Sequence, residues 1–156
     1  KQKTAYEIRL SLVGSEMCIR DRPATVLYVE DEECDRMFMK IAFQKAGMGE
    51  SLHAVVNGRE AIDYLAGSGI YADRSQHPLP AVVLLDLNLP VIPGFDVLRW
   101  LRSRPELAGM PVVVFSSSTR DEDKAKAREL GAKDFVGKPQ TMGGSAHVKV
   151  RRALSR

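Results

Sequence analysis

Cysteine is scarce in this chain. Cys18 and Cys34 are its only two, and their spacing matches no metal-ligand pattern. Two cysteines cannot build a disulfide framework, which fits a reduced, cytoplasmic setting, with Cys34 expected as a small buried helix residue. Histidine is equally thin: His53, His77 and His147 share no spacing that would gather a metal ion. The longest apolar stretches, residues 81–85 and 112–115, are far too short to cross a membrane and have the length of buried strands instead. No glycine-rich phosphate loop follows the first apolar run, which counts against a nucleotide-binding fold. A strong charge of one sign is also missing. The formal net charge is +3, but the surplus lies at the two ends. Residues 1–22 hold five basic and three acidic side chains, and the last ten add Lys149, Arg151, Arg152 and Arg156 without an acid. Residues 23–146 carry 14 basic against 17 acidic side chains, so the body is mildly acidic. That distribution argues against a dedicated nucleic-acid binder.

Residues 1–22 are set apart from the fold. The stretch SLVGSEMCIRDR (residues 11–22) resembles translated cloning or sequencing-adapter sequence. It has neither the continuous apolar region nor the small-residue cleavage site of a signal peptide. An adapter-derived or disordered extension is expected there, followed by one domain over residues 23–156.

What is present is an alternation. Residues 25–29 (TVLYV) form a β-branched apolar run followed at once by acids. Cys34, Phe38, Ile41 and Ala42 then recur at three- and four-residue steps, predicting one face of a helix that ends by Gly47 and Gly49. Four further strands are predicted at residues 52–56, 81–85, 111–115 and 133–136. Helices carrying Ala61, Ile62 and Leu65, then Val97, Leu98 and Leu101, and finally the charged run over residues 121–130 separate them. Strands apolar on both faces and separated by helices imply a parallel sheet covered on both sides. The expected fold is α/β: a doubly wound, five-stranded parallel sheet of the flavodoxin-like kind. Ligands in such sheets bind beyond the carboxyl ends of the strands.

Those ends carry chemistry. Glu30 and Asp31 close the first strand, Asp86 the third and Ser116 the fourth, while Lys138 follows the fifth. Two carboxylates ~4 Å apart repel by about 4 kcal/mol at an effective dielectric near 20. Such a pair takes up a proton or gathers a cation. Hard oxygen ligands, few in number, suit Mg²⁺. Lys138 adds a fixed positive charge, and Ser116 a hydroxyl that can donate to a phosphoryl oxygen. An aspartate in that company is set up as a phosphoryl acceptor.

The motifs LYVED (residues 27–31), LLDLNLP (84–90) with Gly94, VVVFSSS (112–118) and GAKDFVGKP (131–139) together resemble the response-regulator receiver family, over residues 25 to 139. The resemblance implies Asp86 as phosphoacceptor, taking its phosphoryl group from a histidine kinase. It also implies Asp31 as a direct magnesium ligand, Glu30 acting largely through water, and Asn88 lending its backbone carbonyl. Ser116 matches the switch hydroxyl, Phe135 the aromatic rotamer switch, and Lys138 the lysine that contacts the phosphoryl group; the Lys138–Pro139 bond is similar to one that is cis in the family. Glu30 stands where aspartate is commoner. Ser118 and Asn88 match positions that tune dephosphorylation.

The long stretch at residues 66–80, with GREAIDYL (58–65), resembles the subgroup associated with phytochrome-type histidine kinases, implying a stand-alone regulator able to homodimerise. The usual amphipathic fifth helix is atypical here. Residues 141–156 contain Gly143-Gly144 and only scattered apolar residues at Ala146, Val148, Val150 and Leu154. Two alternatives to phosphotransfer signalling are a degenerate receiver that only binds proteins and an aspartate-nucleophile phosphatase. The complete acid, hydroxyl and lysine set disfavours the first. The second needs another aspartate two residues after the nucleophile, where this chain has Asn88.

Overall fold

A computed structural model describes residues 24–138. The expected N-terminal extension, the Lys138–Pro139 bond, His147 and the fifth helix at 141–156 lie outside the described residues. Five strands, β1 (Val26–Val29), β2 (Leu52–Val55), β3 (Val82–Leu85), β4 (Val112–Ser116) and β5 (Asp134–Gly137), pair in parallel in the order β2-β1-β3-β4-β5. Helices α1 (Glu33–Lys45), α2 (Gly58–Ala66), α3 (Gly94–Ser103) and α4 (Asp121–Glu129) connect them. The chain steps from β1 outward to β2, then returns to place β3 on β1's other side. The order therefore reverses between β1 and β3, where such sheets bind ligands.

Successive side chains of a strand point to opposite faces, and here both faces are covered. Leu27, Val29, Val83, Leu85 and Val112 meet Ala61 and Leu65 of α2 and Val97, Leu98 and Leu101 of α3. Val26, Tyr28, Leu84, Val113 and Phe115 meet Met39 and Phe43 of α1 on the other face. Burial on both sides is why the three central strands, β1, β3 and β4, read as apolar runs, whereas the edge strands β2 and β5 are only partly buried.

One expected face is corrected. α1 buries Met39 and Phe43, whereas Phe38 and Ile41 are exposed and Cys34 lies on the surface. Two apolar stripes compete between Met37 and Phe43, and periodicity alone cannot choose between them. The link from β1 chooses: Arg36 donates to the carbonyls of Glu30 at 2.8 Å and Asp31 at 2.6 Å, which sets the helix's rotation.

Residues 66–80 form an organised loop. Arg74 donates to the carbonyls of Tyr64, Leu65 and His77, closing the exposed carboxyl end of α2. The Tyr64 hydroxyl donates to the Pro78 carbonyl at 3.0 Å, and the rings of Tyr71, His77 and His53 surround Tyr64. At its other end α2 is capped by Asn57, whose side chain accepts from the Glu60 amide at 2.8 Å.

Candidate functional site at the carboxyl edge of the sheet

Val29 pairs with Leu85 across β1 and β3, so the next residues in register are Glu30 and Asp86. Each follows by two positions a residue that faces α1, Tyr28 in β1 and Leu84 in β3. The period of two therefore brings both carboxylates out on the α1 side, at the reversal of strand order. Both are buried, Glu30 at 0% and Asp86 at 4% exposure. Asp31 is exposed, and one oxygen from each of Glu30, Asp31 and Asp86 lies within 4.8 Å of the others.

Gly94 sets how closely the chain packs behind Asp86. A Cβ at that position would stand 2.2 Å from the Asp86 carbonyl oxygen and 2.7 Å from Leu87 Cα. Only glycine lets α3 begin there, and its amide donates to the Leu87 carbonyl at 3.0 Å. In front, the Asn88 amide donates to Asp86 Oδ1 at 3.2 Å. The backbone of Asn88 thus adjoins the Asp86 carboxylate.

Lys138 binds the cluster together. Its Nζ donates to Glu30 Oε2, to Asp86 Oδ2 at 2.8 Å and to Asp35 Oδ2 at 2.9 Å. Glu30 is held further by the Tyr28 hydroxyl, which donates to Oε2 at 3.1 Å, and by the Glu32 amide, which donates to Oε1 at 3.2 Å. Burial pushes the Glu30 carboxyl up to about 7, with Asp86 adding to the effect and the Lys138 bond opposing it. Burial pulls the Lys138 ammonium down, but its bonds to Asp86, Glu30 and Asp35 outweigh that and hold it above the ordinary lysine range. Three carboxylates thus surround one ammonium, and Asp31 lies beside two of them. The donor set is all hard oxygen, and its negative charge exceeds what Lys138 neutralises; a divalent cation fits that balance.

Ser116 is fully buried at the end of β4, and its carbonyl accepts from the Lys138 amide at 2.8 Å. Its hydroxyl accepts from the Ser118 amide at 3.2 Å, and the Ser118 hydroxyl donates to Asp123 at 2.5 Å. Phe135 in β5 is half-buried beside Leu87, Val114 and Ala127. The structure therefore joins Glu30, Asp31, Asp86, Asn88 and Lys138 in one cluster, with Ser116 on the adjoining strand end and Phe135 further along β5.

Three contributors escaped the sequence reading: Tyr28, Asp35 and Arg36. Tyr28 has a sequence signal, since it shares Glu30's face two positions earlier. Asp35 stands four residues after Asp31, in the first turn of α1, a weaker signal because acids are common in a helix's first turn. Arg36 reaches backbone carbonyls, which no side-chain pattern announces.

The family model described as "Response regulator receiver domain" matches residues 26–144. Response regulator Rcp1 of Synechocystis sp. is 29% identical over 120 residues, 77% of this chain and 80% of that protein. The structure of the phosphorylated cyanobacterial phytochrome response regulator RcpA superposes with a TM-score of 0.72 at 28% identity, covering 85% of this chain and 89% of that one. The Mn²⁺-bound form of Rcp1 gives a TM-score of 0.71 at 26% identity, over 85% and 90% of the two chains. No helix among the described residues is long and apolar enough to cross a membrane. With its sheet order, its acidic edge and these relatives, the chain belongs to the response regulator receiver domain family, alongside phytochrome response regulators.

Proposed function

We propose that Asp86 is the phosphoacceptor of this receiver, with Mg²⁺ held by Glu30, Asp31, Asp86 and the carbonyl of Asn88. The observation that carries this reading is the convergence of Lys138 on Glu30 and Asp86 beside a third carboxylate, Asp31. An Asp86 oxygen attacks the phosphorus of a kinase phosphohistidine; the new P–O bond forms as the P–N bond breaks, and the imidazole leaves with the electron pair. A magnesium ion held there would supply positive charge to the transferring group. Lys138 supplies the second positive charge, and burial of Glu30 and Asp86 strengthens both. A divalent metal has its support in the oxygen donor set and in the manganese-bound relative, and the choice of Mg²⁺ rests on hard oxygen ligands kept few. Apart from this self-phosphorylation and its reversal, the chain acts as a signalling protein and not as an enzyme.

Phosphorylation adds about −1.5 to −2 charge at Asp86. Ser116 turns its hydroxyl toward that charge, Phe135 moves into the space released, and the α4–β5 face changes shape for a partner. The phytochrome response regulators among the relatives support a phytochrome-type histidine kinase as donor. We propose signalling in the cytoplasm, through homodimerisation or a separate target. Residues 23–156 act as the receiver.

Incubation with Mg²⁺ and a small phosphodonor is expected to label the protein, and Asp86→Asn to remove the label. Equal labelling of the variant would end the assignment.

A further inference from the structure

Asp35 is the member of the lysine's carboxylate set that no strand end supplies. It sits in the first turn of α1, and its Oδ2 lies as close to Lys138 Nζ, at 2.9 Å, as Asp86 Oδ2 does at 2.8 Å. An ammonium has three N–H donors and no more. Glu30, Asp35 and Asp86 use all three. Lys138 can reach a phosphoryl oxygen on Asp86 only by releasing one of these bonds. The side chains of Glu30 and Asp86 are 0% and 5% exposed, whereas that of Asp35 is 21% exposed. Water can replace the ammonium at Asp35 far more readily than at the two buried carboxylates, so that bond is the cheapest to give up.

We propose that Asp35 is a positioning residue that holds Lys138 in the resting state and surrenders its N–H to the phosphoryl group when Asp86 is loaded. The inference rests on the reading of Asp86 as acceptor. It makes Asp35 a competitor of the phosphoryl group for one donor, so removing Asp35 favours the loaded state.

The test is binding of beryllofluoride, a phosphoryl mimic, measured by calorimetry at saturating Mg²⁺. Asp35→Ala is expected to bind it roughly three- to tenfold more tightly than the unaltered protein. Asp35→Glu, which keeps the acceptor, should stay near the unaltered value. In a Lys138→Ala background the Asp35→Ala change should add nothing. Unchanged or weaker binding in Asp35→Ala overturns the proposal. So does an equal gain in the Lys138→Ala background, which would mean that Asp35 acts through its charge alone. If Lys138→Ala does not fold, the Lys138 side-chain ammonium resonance decides in the unphosphorylated protein: a shift in Asp35→Ala and none in Asp35→Glu supports the tether, and no shift in either removes it. Failure of the folded, unaltered protein to bind beryllofluoride would overturn the acceptor reading itself.

Discussion

Lys138 and Arg74 are two cations placed by the same rule with opposite consequences. Each spends its donors on three different residues. Arg74 meets the backbone carbonyls of Tyr64, Leu65 and His77. Lys138 meets the carboxylates of Glu30, Asp35 and Asp86. Carbonyls are neutral, so the Arg74 cluster gathers no excess of negative charge: it ends α2, orders the loop and attracts no further cation. Carboxylates carry charge, so the Lys138 cluster remains negative after the lysine is counted and calls for a further cation. A cation bonded to several residues makes structure where its acceptors are dipoles, and a binding site where they are ions.

The comparison breaks most readily at Lys138. Lys138→Met should lower metal-free stability by about 3 kcal/mol, because it leaves buried carboxylates without their partner. Mg²⁺ should restore much of that loss. Denaturant melts with and without Mg²⁺ measure it, and an identical loss in both would show that the metal does not share these acids.

The pH response should be the next largest effect. Glu30, buried beside Asp86, holds its proton up to about 7 in the folded protein, against an ordinary value of 4.5. Between those values the folded state binds a proton that the unfolded state has released. Metal-free stability is thus fullest at the low end of the window and is lost as pH rises through about 7. Mg²⁺ competes with that proton, so its affinity should rise with pH over the same window. Thermal melts and Mg²⁺ titrations across the window test both signs together.

Arg74→Ala should cost about 1–2 kcal/mol by leaving the carboxyl end of α2 poorly satisfied. Its contrast with Lys138 is sharpest in the metal: Mg²⁺ affinity and Asp86 labelling should stay unchanged. A weakened Mg²⁺ affinity in that variant would mean that the loop and the acidic edge are coupled. The smallest effect should come from Tyr28→Phe, which removes one donor from Glu30 and should cost about 1 kcal/mol in metal-free melts, with the α1 face of the core otherwise intact.

Most of the acidic edge was legible because one short rule generates it. Apolar runs announced the strands, and Glu30, Asp31, Asp86 and Ser116 stand where those runs end. Strand boundaries moved by a residue or so, as at β5, which runs Asp134–Gly137. The rotation of α1 was not legible. Cys34, Phe38 and Ile41 form as good a stripe in the sequence as Met39 and Phe43, and Arg36's grip on two backbone carbonyls decides between them. Asp35 was missed for a related reason, since an acid in a helix's first turn needs no further explanation until a lysine from the far end of the domain arrives beside it.

By itself, the sequence determined the α/β class, the carboxylates at the strand ends and the family, because apolar runs, the residues that end them and four short motifs are local properties of the chain. Only the tertiary structure decided which carboxylates share Lys138, which face of α1 is buried and how Arg74 closes the loop. Those outcomes depend on groups up to 108 residues apart in sequence, and competition for a limited number of N–H donors is settled only where the groups meet.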